Sequence, residues 1–443
     1  MAEAEVKCVA DPGLDEAVKE LTVDQIEAVI QKVLDKETAA RFKIYLNTCV
    51  HCALCSEACH WYISNDRDPK FSPVGKIKET LWEILKRKGK VPPSFMKDCA
   101  RIAYTECNVC RKCSMYCPFG IDIAYLLLVV RRICNQLGMT PQFLQDTVNS
   151  HATTSNQMWV KQDEWIDTLQ WQEDEARLEI KNAWIPLDRE GVEVMYSVIA
   201  PEPKILAQLI NNMAQIMAVA GVGWTMPSMD GWDNSNMAMY SGDFETMGRV
   251  ERRHFETAFG LKVKKIVMGE CGHAFRASVY DGPRWLAWKY PPIPVIHAVE
   301  FYRDLLRDGK IRIAQKIEEP VTFQDPCNIV RGRGLGEHLR TVLKAICEDL
   351  REPDPQYEHN YCCGAGGGVI NCGPPWKPTR MKGTRVKADQ LKATGAKIVV
   401  TPCHNCHSGI EDIIHTNKLG IKTKFLSELL VTTMDIPEAL KVQ

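Results

Sequence analysis

The chain carries almost no net charge: 55 Lys and Arg face 56 Asp and Glu, a formal charge of −1 over 443 residues. A protein that holds nucleic acid by neutralising phosphates needs a basic excess, so that class is disfavoured. Long apolar runs are missing too. The most apolar stretch, Ile121 to Val130, contains Asp122 and is stopped by Arg131 and Arg132, well short of the ~20 residues that span a bilayer. The N-terminus lacks the basic and apolar pattern of a secretory signal. The expected location is therefore the cytoplasm, with any membrane attachment made peripherally on the inner face through a partner subunit.

Cysteine, in contrast, is plentiful at 19 residues. In a reducing compartment, thiols in ligand spacing point to metal rather than to disulfides. Cys49, Cys52, Cys55 and Cys59 form CxxCxxCxxxC, and Cys107, Cys110, Cys113 and Cys117 repeat it ahead of Pro118. This is the spacing of bacterial two-cluster ferredoxins, in which the fourth cysteine of each run ligates the other cluster. By that rule Cys49, Cys52, Cys55 and Cys117 hold one cubane [4Fe-4S] cluster, and Cys59, Cys107, Cys110 and Cys113 hold the second. Between the runs, helices are expected over Ile77 to Lys88 and Lys97 to Tyr104, an insert that predicts an α-helical ferredoxin-like domain.

A third group lies near the C-terminus: Cys327, the adjacent pair Cys362 and Cys363 in "YCCGAGGG", and Cys403 and Cys406 in "TPCHNC". Strands are expected at Val321 to Phe323 and Ile398 to Val400, with helices over Leu339 to Ile346 and Thr379 to Ala393, so the thiols sit on strand ends and loops. Zinc is satisfied by four ligands. Five thiols, two of them adjacent, suit an iron-sulfur centre better.

With these residues the chain resembles the CCG-domain, heterodisulfide reductase-like iron-sulfur subunits. Its two ferredoxin motifs are fused ahead of one full and one degenerate module, as in the K subunits of sulfite-reduction-associated membrane complexes and the related B subunits of tetrahaem cytochrome complexes. The resemblance implies a noncubane [4Fe-4S] cluster on Cys327, Cys362, Cys363, Cys403 and Cys406 that reduces disulfides. It also implies a cytochrome b-type, quinone-reactive membrane partner, further complex subunits, and a thiol, disulfide or trisulfide substrate such as one borne by a small sulfur-carrier protein. The alternatives are an iron-sulfur subunit of a glycolate or lactate oxidase complex, and a non-catalytic electron-wire subunit.

The sequence also contains an internal repeat. "KKIVMGECGHAF" (264–275) aligns with "AKIVVTPCHNCH" (396–407), which sets Cys271 against Cys403 and Ala274 against Cys406. The expected organisation is a helical segment at 1–41, a ferredoxin domain at 42–149, a Trp-rich linker at 150–190, a degenerate first α/β module at 191–319 and a complete second module at 320–443. The first module, with Asp230 and Gly231 where the cysteine pair would fall, is not expected to hold a noncubane cluster. Cys271 is read as an added ligand, a substrate-reactive thiol or a relic. His273, His404 and His407 flank the same loops, His51 and His60 sit beside cubane ligands, and Arg331 and Arg333 offer an anion-binding turn. Cys8, Cys99, Cys134, Cys347 and Cys372 lack motif partners and are expected to be buried or spare.

Overall fold

The computed structural model describes residues 11–37, 39–281 and 293–442; Cys8 lies outside them. The N-terminal part is helical. Its central helix, Ile123–Gln136, starts where the Asp122 carboxylate accepts from the Tyr125 N–H at 3.1 Å. Most of its side chains are buried, among them Leu126, Leu127, Val130 and Ile133. It packs against Val23–Glu37, Pro93–Ala100 and Ala238–Ser241. Each fully buried Leu or Ile contributes roughly 1.5–3 kcal/mol, so this helix anchors the helical half. Both inter-motif helices are present. The first runs from Pro73 to Lys86 and the second from Pro93 to Thr105, each with a wider turn inside it.

The C-terminal part carries two parallel sheets. Strands β1 (Val194–Ser197), β2 (Trp224–Thr225), β3 (Lys265–Met268) and β4 (Val295–His297) are ordered β2-β1-β3-β4. Strands β5 (Val321–Phe323), β6 (Ile398–Val400) and β7 (Lys422–Lys424) are ordered β5-β6-β7. Every pairing is parallel, with Ile266 opposite Val295 in the first sheet and Val321 opposite Ile398 in the second. Short apolar strands such as "VTF" and "IVV" are buried throughout, as sheets covered by helices on both faces require. Val194, Val267, Val321, Val400 and Leu426 belong to one continuous core, so the two sheets are not separately cored. Ligands of open parallel sheets bind beyond the carboxyl ends of strands. Cys271, Cys327 and Cys403 all follow such ends.

One expectation needs correction. The helix expected over Thr379 to Ala393 is two helices, Lys377–Lys382 and Arg385–Thr394. The break lies at Gly383, where an added Cβ would sit 2.4 Å from the Trp61 ring. The Trp-rich linker is mainly an 18-residue helix, Gln162–Glu179, packed on Gln208–Ala220. Trp165 packs inward: it stacks on Trp232 at 4.2 Å and 12° and donates to the Pro227 carbonyl. Trp159, Trp171 and Trp184 are exposed.

Candidate metal centres

The two ferredoxin loops have matching backbones. His51 (φ 58°) and Ala53 (φ 62°) in the first are left-handed, and so are Val109 (φ 48°) and Arg111 (φ 66°) at the same motif positions in the second. Alternating left- and right-handed residues turn successive N–H groups inward, a concavity suited to an anionic centre; the Val109 N–H already reaches the Cys107 sulfur at 3.4 Å. Cys49, Cys52, Cys55 and Cys117 line one cavity together with Leu46, Val74, Ile77 and Ile121. Cys113 neighbours Cys110, Cys59, Cys107 and Cys55. Burial pushes Cys55 up to about 11 and Cys107 and Cys113 upward as well. Buried thiols of this kind become thiolates when metal takes the proton's place, so the donor sets suit iron-sulfur cubes.

The five C-terminal cysteines converge. The Cys362 thiol contacts those of Cys110, Cys327 and Cys363. Cys363 contacts Cys406, which contacts Cys403. Hydrogen bonding from Cys362 holds Cys110 and Cys363 well below the usual thiol range, and bonding from Cys406 lowers Cys403. Cys362 and Cys406 are raised in return. Six sulfurs brought together in this way form a soft, electron-rich donor set, which fits a thiolate-ligated cluster. Cys110 stands at the junction: it belongs to the second ferredoxin motif and touches the C-terminal group.

The glycine-rich loop after Cys363 is clamped from both sides. Asn108, between Cys107 and Cys110, donates to the Gly366 carbonyl at 2.9 Å and accepts from the Trp61 indole at 2.8 Å. Gly367 has φ +67°, and a Cβ there would lie 2.3 Å from the Asn108 carbonyl oxygen, so only glycine allows this approach. On the other side the Gly367 N–H donates to His273 Nε2 at 3.0 Å, and His273 Nδ1 lies 2.9 Å from the Asn405 side-chain amide. Burial pushes His273 down to about 3, so it stays neutral.

The other singled-out residues have mostly structural places. Cys271 caps the helix Gly272–Arg276 by accepting from the Ala274 N–H, and neighbours Cys403 with its pKa raised by burial. It does not join the contact chain of the five. His404 packs against Phe425 and lies 3.5 Å from Glu202, and His407 stacks on Phe425 at 4.2 Å. His60 bonds the Gly383 carbonyl, and His51 packs on Trp82. Arg331 is not free for an anion: it donates to the carbonyls of Cys110, Glu358 and Asn360, whereas Arg333 is exposed. Cys99, Cys134, Cys347 and Cys372 are buried. Sequence reasoning missed Asn108 and Trp61. Only Asn108, lying inside a CxxC, carried a local signal.

Glu270, just before Cys271, is buried with its carboxylate accepting from the Leu426 and Ser427 N–H groups at 2.9 and 2.7 Å. Burial outweighs these bonds and pushes its pKa from 4.5 to about 7. The folded state then keeps a proton that the unfolded chain releases. This group's contribution is full below pH 4.5 and is lost as the pH rises to about 7, at a slope of up to ~1.4 kcal/mol per pH unit. Glu270→Gln should remove that slope. Denaturant midpoints at acidic and neutral pH check it, and an unaltered pH dependence in the variant counts against the assignment.

Comparison with known families agrees with this layout. A 4Fe-4S dicluster domain model matches residues 45–121, and a cysteine-rich (CCG) domain model matches 321–411. The chain is 23% identical to the Hdr-like menaquinol oxidoreductase iron-sulfur subunit 2 of Archaeoglobus fulgidus, over 89% of this chain and 79% of that one. It is 26% identical to the D subunit of the dihydromethanophenazine:CoB–CoM heterodisulfide reductase of Methanosarcina barkeri, over 88% and 94%. It is 24% identical to the EtfAB:quinone oxidoreductase of Syntrophomonas wolfei, over 74% of this chain and 46% of that one. These likenesses bear out the resemblance to CCG-domain, heterodisulfide reductase-like iron-sulfur subunits. Among the described residues, no helix is long and apolar enough to cross a membrane.

Proposed function

We propose that this heterodisulfide reductase-like chain carries electrons between a quinone-reactive cytochrome b-type membrane partner and a thiol or disulfide substrate of sulfur metabolism. The relatives named for menaquinol and heterodisulfide chemistry support it. The observation that carries it is the contact between Cys110, in the second ferredoxin motif, and Cys362, in the C-terminal group. Electrons enter at the cubane of Cys49, Cys52, Cys55 and Cys117, whose Cys52 is exposed. They pass to the cubane of Cys59, Cys107, Cys110 and Cys113, and from there to the five-cysteine site. In this reading 191–319 is a worn duplicate of 320–443, supported by the matching parallel strand orders β1-β3-β4 and β5-β6-β7. The chain attaches peripherally through its partner.

A noncubane cluster, when bound, supplies single electrons and an iron site for sulfur. Around it the protein holds the thiolates in one array through the Asn108, Gly367 and His273 clamp. It also buries Cys362, Cys363, Cys403 and Cys406 away from water. The overall reaction balances as one disulfide, two electrons and two protons giving two thiols.

Anaerobic protein should contain about twelve iron atoms per chain, as three four-iron clusters require. It should also show an oxidised-state EPR signal that shifts on adding thiol or disulfide. About eight iron atoms with only reduced cubane signals would sink the reading.

A further inference from the structure

Arg131 is the least expected residue in the helical half. It interrupts the apolar run of the central helix, yet it is 0% exposed. Its guanidinium donates to four backbone carbonyls: Ala103 and Cys107 at 2.9 and 2.7 Å, Tyr240 at 2.8 Å, and Gly367 at 2.5 Å. No carboxylate forms an ion pair with it among the described residues. A buried cation facing carbonyl dipoles and one aromatic ring, that of Tyr104 at 5.0 Å, is costly unless an opposite charge lies nearby. The carbonyls it binds indicate where that charge belongs. Cys107 is in the second ferredoxin motif, and Gly367 follows the Cys362 and Cys363 pair.

Among the described residues, no buried guanidinium bonds the backbone of the first ferredoxin motif in this way. Cys107 of the second motif has Lys76 as well as Arg131 beside it, and the buried Lys112 neighbours Cys59 and Cys110, whereas Cys55 of the first has only other cysteines as its charged neighbours. Arg41 and Arg111 pair with Asp122 at 3.6 and 3.3 Å and are partly exposed. Their charge is already offset at the surface, where solvent screens it. The two motifs are thus alike in backbone and unlike in electrostatics.

We propose that Arg131 is a positioning residue and built-in counter-cation for the inner cubane, the one on Cys59, Cys107, Cys110 and Cys113, and that its charge sets that cubane's reduction potential above the outer one's. This rests on the cluster assignment proposed above. Adding an electron makes a cluster more negative, so an uncompensated positive charge in a dry interior favours the reduced form. Electrons arriving at the outer cubane then move downhill toward the five-cysteine site. The same guanidinium, by holding Cys107 and Gly367 together, fixes the spacing of the two centres.

The test is a potentiometric EPR titration of the iron-loaded full chain, comparing the unsubstituted protein with Arg131→Gln and Arg131→Lys. The cubane signal perturbed by Cys113→Ser identifies the inner cluster. In Arg131→Gln, the reduced-to-oxidised ratio of that cluster at the original midpoint should fall about tenfold, which for one electron is about 59 mV. The outer signal should stay in place, and Arg131→Lys, which keeps the charge, should retain most of the original midpoint. An unmoved inner midpoint in Arg131→Gln, or an equal fall in both variants, overturns the proposal. If the glutamine variant does not fold, the order of the two midpoints in the unsubstituted protein decides: an inner cubane lower than the outer one overturns it. An unsubstituted protein with only one cubane signal overturns the cluster assignment itself, a result distinct from either.

Discussion

Replacing Cys363 with serine should remove about four of roughly twelve iron atoms per chain and abolish the substrate-responsive oxidised-state EPR signal, while both cubane signals remain. Cys363 is 2% exposed and lies between Cys362 and Cys406 in the chain of thiol contacts, so no water or neighbouring side chain takes its place. A hydroxyl is a harder and far less acidic donor than a thiol. Disulfide turnover should fall by about two orders of magnitude or more, an effect the size of removing a principal catalytic group. Electron uptake at the ferredoxin motifs should persist, since their eight cysteines are untouched. Iron analysis, EPR and turnover on one preparation check this. If disulfide turnover survives in the serine variant, the five-cysteine site is not where the chemistry occurs, and the electron-wire alternative gains.

Removing the Arg340 side chain should destabilise the fold severely. Arg340 and Asp325 are 1% and 0% exposed and meet in a two-pronged ion pair at 2.9 and 3.0 Å. Glu352 bonds the same guanidinium at 2.7 Å, the ring of Tyr357 lies 3.5 Å beneath it, and Asp325 also accepts from the Tyr357 N–H. Arg340→Met leaves the Asp325 carboxylate buried without its cation, a cost of about 3–5 kcal/mol. Asp325 lies two residues before Cys327, so the loop delivering that thiol loosens too. A lowered denaturation midpoint is expected, with part of the loss recovered in Arg340→Met combined with Asp325→Asn. A double variant no better than the single one would mean the ion pair is not the source of the loss.

The features legible in the sequence were those whose cause is local. Metal ligation imposes spacing, so the ferredoxin runs and the five C-terminal cysteines could be read directly. Strands β5 and β6 end where the apolar runs end. What the sequence concealed depends on partners far along the chain. Position 383 must be glycine because the Trp61 ring lies where a Cβ would sit, and Trp61 lies in the other half. Arg131 reads as the end of an apolar run, although it is buried mid-helix with partners reaching as far as Gly367. The contact of Cys110 with Cys362 has no local signature. In the Trp-rich stretch composition reveals the rings, whereas the helix phase decides that Trp165 turns inward and Trp171 outward.

The gradient of burial across the thiols, from exposed Cys52 to Cys363 and Cys406 at 2% and 3%, also orders their vulnerability. Dissolved oxygen and peroxides meet the outermost cysteine loop first. In the proposed electron path, damage of this kind begins at the outer cubane, on the entry side, before it reaches the five-cysteine site.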